Sequence, residues 1–375
     1  MKICFVCEYF PKTESNDVKG GVEKASYMEA FNFSKRHDVT VLTSYEYDME
    51  REFQLGDIKV IACGKPRPYK QNDSIINRYQ FMKAAIKVGE KLDFDLVVGY
   101  NFITYISAYK ISQKLKIPCA IRYHDVWVDQ WIKNMGLMGL GGLVLEKYIL
   151  SKDIDLVLPV SNYTAERLKD YYPEDKIKTV HNIVEFPSFE VEKYSKLTIS
   201  CVSRLVDYKR IQDLIHAIYL LKEEGIDIDC KIVGTGPMYE SLNNLVGEYN
   251  LKDNIQFLGF VEKHEDVLKV IKSSHIFCLP SKVEGFGIVV VEALGCEVPF
   301  VASDIDPIKE ATGMKGGLFF KCEDSHDLKN KIKNLISDEN LYNKLKKESL
   351  IQYSNYNGET ISQKIEEEYL KLLKI

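Results

Sequence analysis

A chain of 375 residues exceeds what one hydrophobic core usually holds and suits two domains. Its apolar fraction of 45% excludes a disordered chain, and 50 basic against 55 acidic side chains, a formal charge of −5, exclude the basic field of a dedicated nucleic-acid binder. No apolar run approaches the roughly 20 residues that cross a bilayer, and the opening Met1-Lys2-Ile3-Cys4-Phe5-Val6-Cys7-Glu8 is apolar too briefly for a signal peptide, so a soluble cytoplasmic protein is expected.

The chain opens on a strand carrying Cys4 and Cys7. Three residues apart on a strand, the two thiols face opposite sides. The nine cysteines mostly sit in apolar runs such as Ile276-Phe277-Cys278-Leu279, so they read as reduced core residues rather than metal or redox groups. Lys19-Gly20-Gly21-Val22 then precedes an amphipathic helix (Val22, Ala25, Met28, Phe31). Paired glycines at a helix start let backbone N–H groups approach an anion, although an ordinary glycine turn has the same sequence. The third glycine of the nicotinamide-dinucleotide fingerprint is missing. Further on, short β-branched runs (Leu96-Val97-Val98, Leu156-Val157-Leu158, Cys230-Lys231-Ile232-Val233) alternate with helical patterns, the clearest being Ile211, Leu214, Ile215, Ile218 and Leu221. Strands apolar on both faces predict parallel sheets covered by helices. The expected fold is therefore α/β: two doubly wound, Rossmann-like parallel-sheet domains facing across a cleft, spanning residues 1–187 and 188–357. A linker is expected at 185–190, and a terminal helix over 358–375 (Ile361, Ile365, Tyr369, Leu372, Leu373) could pack on either domain. In such sheets ligands bind at the carboxyl ends of the strands.

Three loops after strands of the second domain carry candidate chemistry. In Val202-Ser203-Arg204-Leu205-Val206-Asp207-Tyr208-Lys209, two cations five residues apart could clamp a diphosphate, Arg204 through its fork and Lys209 as a point charge. The alternative is a solvated turn. Gly234-Thr235-Gly236-Pro237 is a second glycine turn. In the run from Pro280 to Ala293, a loop with Glu284, Gly285, Phe286 and Gly287 leads into a helix bearing Glu292. A carboxylate can accept from vicinal hydroxyls, and free N–H groups at the helix start can meet phosphate or sugar oxygens. Glu292 sits in the most apolar helix of the chain, so it needs a partner.

These motifs, from Thr198 to Glu310, resemble the nucleotide-sugar domain of retaining glycosyltransferases of family 4, of the GT-B fold. The Arg…Lys pair, the Gly-x-Gly-Pro turn and the Glu-x7-Glu element occur in that order and spacing. The first half is similar to the same family through Gly20-Gly21, Tyr123-His124-Asp125, Pro159-Val160-Ser161 and His181-Asn182. The resemblance implies that Arg204 and Lys209 hold the donor diphosphate with backbone help from Gly20 and Gly21, and that Glu292 binds the ribose. It implies that Glu284, with Gly285 and the backbone of Phe286 and Gly287, binds the transferred sugar, and that His124 faces that sugar beside the acceptor. Ser161 reads as a helix cap. The implied activity is transfer of a hexose from a nucleotide-diphosphate sugar, with UDP favoured, to a glycan or lipid-linked acceptor. Neither a cofactor nor a metal is expected. A nucleotide-sugar epimerase of the same fold and an inactive binding subunit of a glycan-assembly complex are the alternatives. Where the family often has Gly-Gly, this chain has Asp304-Ile305-Asp306-Pro307.

Asp93-Phe94-Asp95, Asp153-Ile154-Asp155 and Asp227-Ile228-Asp229 each precede a strand and read as turns or caps away from the cleft. Asp304-Ile305-Asp306 lies on the cleft edge, where a metal-binding reading competes. Finally, Trp127, Trp131 and the glycine-rich stretch from Met135 to Leu143 read as an apolar, flexible loop beside the acceptor. It could fold onto the protein as a lid or core plug, or dip into a membrane surface, with Lys65, Arg67 and Lys70 of another loop adding attraction to anionic lipid.

Overall fold

The computed structural model describes residues 1–13, 20–69 and 74–374; Lys19 and Lys70 lie outside them. The chain divides into two compact units, Met1–Ile183 with Asn357–Ile375, and Val184–Tyr356.

In the first unit, seven strands pair in the order β3-β4-β2-β1-β5-β6-β7. They are β1 (Lys2–Val6), β2 (Asp38–Glu46), β3 (Glu52–Leu55), β4 (Ile58–Arg67), β5 (Leu96–Gly99), β6 (Cys119–Tyr123) and β7 (Leu156–Pro159). The helices are α1 (Gly21–Ser34), α2 (Ile75–Gly89), α3 (Phe102–Leu115), α4 (Trp131–Met135), α5 (Leu140–Leu150) and α6 (Asn162–Leu168). Pairing is parallel except at the edge, where β3 and β4 form an antiparallel hairpin turned by Gly56-Asp57, Gly56 lying at φ 58°. This hairpin departs from the all-parallel expectation. Ile3, Cys4, Phe5 and Val6 of β1 are fully buried, as a strand covered on both faces requires. All nine cysteines are free, and eight of them are buried.

The second unit has six strands, all parallel, in the order β10-β9-β8-β11-β12-β13. They are β8 (Thr198–Val202), β9 (Asp229–Val233), β10 (Ile255–Gly259), β11 (Ile276–Leu279), β12 (Phe300–Ser303) and β13 (Gly317–Phe320). Its helices are α7 (Ile211–Glu223), α8 (Tyr239–Glu248), α9 (His264–Ser273), α10 (Ile288–Gly295), α11 (Asp306–Thr312), α12 (Ser325–Ser337) and α13 (Glu339–Tyr353). The last helix, α14 (Gly358–Leu373), belongs to the first unit. There Tyr369 packs on Phe33 and donates to Glu29 at 3.1 Å, while Arg36 and His37 reach Glu366 at 2.8 and 2.5 Å.

In each sheet the strand order reverses at one place, between β1 and β5 and between β8 and β11. Connections leave in opposite directions there, so a crevice opens at the carboxyl ends of those two strands.

The stretch after Trp131 is helical rather than a flexible loop: α4, a 3₁₀ turn over Gly136–Gly139, and α5 follow one another directly. Its glycines serve close packing. A Cβ on Gly139 would lie 2.3 Å from the Trp131 carbonyl oxygen, and one on Gly142 would lie 2.6 Å from the Trp131 ring. Trp131 is locked in that notch by its Nε1–H, which donates to Glu146 at 2.6 Å. Among the described residues no helix is long and apolar enough to cross a membrane.

Candidate active site

The reversal point of the second sheet gathers the residues singled out there. After β8 the chain exposes Arg204, buries Leu205 and Tyr208, and makes one 3₁₀ turn over Asp207–Lys209. Two glycines shape this loop from behind. A Cβ on Gly234, at φ +133°, would fall 1.9 Å from the Ser203 carbonyl oxygen, and one on Gly236 would fall 2.3 Å from that of Leu205. The Gly-x-Gly-Pro turn thus buttresses the Arg204 loop, with Leu205 N–H donating to Thr235 O at 2.9 Å and Met238 N–H to Leu205 O at 3.0 Å. The Arg204 guanidinium donates to the Tyr208 hydroxyl.

The loop after β11 joins the same edge through Lys282 N–H, which donates to Tyr208 O at 2.8 Å. Lys209 Nζ lies 2.5 Å from Glu284 Oε1, and both side chains are only about one-eighth exposed, at 13% and 12%. The cation assigned to phosphate and the acid assigned to sugar are therefore each other's partners. Phe286 is buried with its ring edge-on to Tyr356. Gly287 sits at φ 86°, a left-handed position where a side chain is strained, and starts α10 without a side-chain cap. Val290 N–H already donates to Gly287 O at 3.0 Å, so it is the N–H groups of Ile288 and Val289 that a ligand could meet.

Glu292 is buried on α10, and its Oε1 lies 3.0 Å from His264 Nε2 at the start of α9. His264 is the partner the buried acid requires. Sequence reasoning missed it, because Lys263-His264-Glu265-Asp266 reads as the charged first turn of a surface helix.

The four aspartate triplets take different places. Asp93 and Asp95 bind Lys2 at its Nζ and backbone N–H, at 2.6 and 2.7 Å. Asp155 accepts from Cys119 N–H at 2.9 Å, and Lys196 bridges Asp227 and Asp229 at 2.8 and 2.6 Å. At the carboxyl edge, Lys309 Nζ stands 2.9 Å from Asp304 and 3.1 Å from Asp306, setting one positive charge between the two carboxylates. Among the described residues no group of three or more His, Cys, Asp or Glu is arranged to hold a metal ion.

In the first unit His124 directly follows β6. Burial and the nearby Arg122 guanidinium push its imidazole down to about 3, so it is neutral, and its Nε2 is buried without a hydrogen-bond partner among the described residues. Arg122 is itself fixed: its Nε lies 3.0 Å from Glu29 Oε2, and its Nη groups donate to the Val180 and His181 carbonyls at 2.7 and 3.1 Å. Burial pushes the carboxyl of Asp125, beside Arg167 at 3.3 Å, up to about 7. Buried Glu146 accepts from the Tyr123 hydroxyl and Trp127 N–H, both at 2.8 Å, which holds the chain on either side of His124. Ser161 caps α6 by accepting from Thr164 N–H at 3.1 Å. Gly20 caps α1 in extended backbone (φ −160°), and a Cβ there would make only ordinary contacts at 3.7 Å. Neither strain nor crowding within the chain demands glycine at this position. Arg67, expected on a lipid-facing loop, instead ends β4 in a buried place and donates to Ser44 Oγ at 2.6 Å; Lys65 beside it is exposed.

Two family models divide the chain between them: "Glycosyltransferase Family 4" matches residues 19–186 and "Glycosyl transferases group 1" matches residues 185–350. Among curated relatives, the N-acetyl-alpha-D-glucosaminyl L-malate synthase of Bacillus anthracis is 25% identical over 74% of this chain and 73% of its own. Among solved structures, the sucrose-phosphate synthase of Thermosynechococcus elongatus superposes over 100% of this chain and 99% of its own with a TM-score of 0.83 at 18% identity. HepE of Anabaena, in complex with UDP-glucose, covers 99% of this chain and 100% of its own with a TM-score of 0.75 at 17% identity. Two parallel-sheet units with these neighbours make the fold GT-B, and the chain belongs to the group 1, family 4 glycosyltransferases.

Proposed function

We propose that this glycosyltransferase is a retaining enzyme that moves a hexose from a UDP-sugar to a glycan or lipid-linked acceptor without a metal. The observation that carries this reading is the crowding of Arg204, Lys209, Glu284 and the uncapped start of α10 at the reversal point of the second sheet. Cleaving the anomeric C–O bond places negative charge on the leaving diphosphate, and two cations beside a helix N-terminus stabilise charge that develops there. Glu292, held by His264, accepts from the ribose diol. Glu284 accepts from hydroxyls of the transferred sugar once Lys209 turns to phosphate, and Gly285 with the Phe286 and Gly287 backbone lines that sugar. His124, neutral, exchanges one hydrogen bond with a sugar hydroxyl without changing its charge. Gly20 and Gly21 at the start of α1 offer backbone N–H groups to phosphate. The leaving phosphate takes the acceptor proton, so no enzymic nucleophile is assigned.

UDP is favoured by the neighbour solved with UDP-glucose. A melting-temperature panel of UDP-, GDP- and ADP-sugars tests this: UDP-sugars raise the transition most, and a GDP- or ADP-sugar doing so instead overturns the choice of base. Activity that persists in excess EDTA supports metal independence; loss restored by manganese promotes Asp304 and Asp306 to ligands. Product formation from donor alone would turn the reading to an epimerase.

Peripheral membrane contact, which suits a lipid-linked acceptor, rests on the surface of α4 and α5. Ile132, Met135, Leu137, Leu140 and Val144 are exposed, Leu137 by 82%, and Lys133 and Lys147 beside them are exposed too. Apolar insertion flanked by lysines fits an anionic bilayer surface. Co-sedimentation with anionic vesicles that weakens with salt and with Leu137→Asp/Leu140→Asp supports contact. A protein that stays in the supernatant at low salt, yet glycosylates a water-soluble sugar well, would leave the apolar surface as a lid.

A further inference from the structure

The reversal point of the first sheet has its own cavity, of about 60 Å³, lined by Cys7, Glu8 and Tyr9 after β1, by Val22, Glu23 and Ser26 of α1, and by Tyr100 and Asn101 after β5. Its polar lining is rich in oxygen atoms, two of the side chains being carboxylates. The cations that balance Glu8 are not part of that lining. Arg78 Nε reaches Glu8 Oε1 at 3.1 Å and buried Arg67 reaches the same oxygen at 3.4 Å, and neither arginine lines the cavity. Asn101 Nδ2 donates to Glu8 Oε2 at 3.3 Å, and the Asn101 amide is itself oriented because its Oδ1 caps α3, accepting from the N–H groups of Ile103 and Thr104 at 3.1 Å. Glu8 is thus a half-sequestered carboxylate, its side chain 10% exposed, held by two hydrogen-bond donors, Arg67 and Asn101, with the Arg78 guanidinium alongside, at the point where this fold class binds ligands.

Resting on the proposed transferase reading, we infer that this cavity is the acceptor subsite and that Glu8 selects a neutral, polyhydroxylated acceptor, a sugar ring or similar polyol, by accepting hydrogen bonds from its hydroxyls. The chemistry excludes an acid at this position. An acidic group set against Glu8 would bring like charges together in a confined site, at a cost of several kcal/mol, whereas a hydroxyl donor gains a charge-assisted bond. The cavity has room for a hydroxyl-bearing edge rather than a whole sugar, so the ring would lie over Glu8 and present two hydroxyls to it. This sets the chain apart from the relative named for transfer to L-malate, a dicarboxylate. The lone acid after the first strand carries no motif, which is why sequence reading passes over it.

The test uses the full chain, UDP, and four probes in saturation-transfer NMR: methyl α-D-glucopyranoside, methyl α-D-mannopyranoside, L-malate and methyl phosphate. The expected result is signal transfer to at least one methyl glycoside and none to malate or methyl phosphate at this subsite. Glu8→Gln should weaken the glycoside about tenfold or more, the worth of one hydrogen bond to a charged group, while UDP affinity by calorimetry stays unchanged. Because Glu8→Gln leaves two arginines without their counterion, Glu8→Asp serves as the second variant: it keeps the charge, withdraws the carboxylate by one methylene, and should show the same selective loss. Malate or methyl phosphate binding that Glu8→Gln strengthens, glycoside binding that neither variant alters, or no glycoside binding at all overturns the assignment. Wild-type protein that fails to bind UDP or any nucleoside diphosphate indicts the transferase reading instead.

Discussion

Removing Lys209 should do two separable things, because its ammonium is both the partner of Glu284 and a proposed phosphate ligand. At 2.5 Å and about one-eighth exposure the pair is largely removed from water. At an effective dielectric of about 20 its gross attraction is of the order of 5 kcal/mol, most of it offset by desolvation. Stripping one partner leaves Glu284 under-compensated, which costs about 3–5 kcal/mol for a fully buried pair and about 2–3 kcal/mol at this exposure. For a cooperative unit of this size each kcal/mol moves the melting temperature by about 2–4 °C. Lys209→Ala should therefore lower the transition of the second unit by about 4–12 °C. Adding Glu284→Gln should return part of that loss, with a coupling of about 1–2 kcal/mol. Calorimetric titration then reads the second role, with UDP affinity falling about tenfold or more. A double-mutant cycle additive within about 0.5 kcal/mol, or unchanged UDP affinity in Lys209→Ala, would refute the reasoning.

Arg204→Ala should behave differently: the side chain is exposed and, among the described residues, touches Tyr208 through its hydroxyl and ring, so stability should shift by no more than about 0.5 kcal/mol while turnover falls about 10²–10³-fold. Normal turnover in the folded variant would remove Arg204 from the clamp. His124 carries a pH signature. Its folded-state value is depressed, so it contributes stability above the unfolded value near 6.5 that is lost as pH falls toward about 3. At about 1.4 kcal/mol per unit, denaturant titrations should show wild type losing up to about 2 kcal/mol relative to His124→Asn between pH 7 and pH 5; parallel curves would show the imidazole to be solvated. Gly142→Ala should cost about 1–3 kcal/mol, since its methyl meets the Trp131 ring at 2.6 Å, and a neutral or stabilising result by thermal denaturation would show α4 to be mobile against α5.

The second unit was more legible in sequence than the first, for a physical reason. The proposed grip on a diphosphate and two diols calls for particular residue types in loops after particular strands, and Arg204, Lys209, Glu284 and Glu292 stand out by type and spacing. Glu292 even announced its need for a partner, but His264 lies 28 positions earlier and only the packing of α9 on α10 brings the two together. In the first unit Glu8 has no such grammar; a lone acid after a strand looks like any turn. The stretch from Gly136 to Gly142 misleads because glycine has two meanings, freedom and close approach, and only the Trp131 ring in place shows which applies. Arg67, flanked by Pro66 and Pro68, looks like a surface cation until β4 pairs with β2 and sets it against Ser44. The β3–β4 hairpin hides in a short Glu-Phe-Gln-Leu alternation with a Gly-Asp turn, too little periodicity to separate from a loop.

The stereochemistry of transfer tests the central claim most directly, and it can be read with water standing in for the acceptor. Time-resolved proton NMR of the slow donor hydrolysis, using the UDP-α-sugar that raises the melting temperature most, reads the anomer released before mutarotation mixes the two. Retention predicts that the α-anomer appears first in wild type, in the presence of EDTA, and that Arg204→Ala abolishes its release. First appearance of the β-anomer would mean inversion at the anomeric carbon and would contradict the retaining assignment built on the diphosphate clamp.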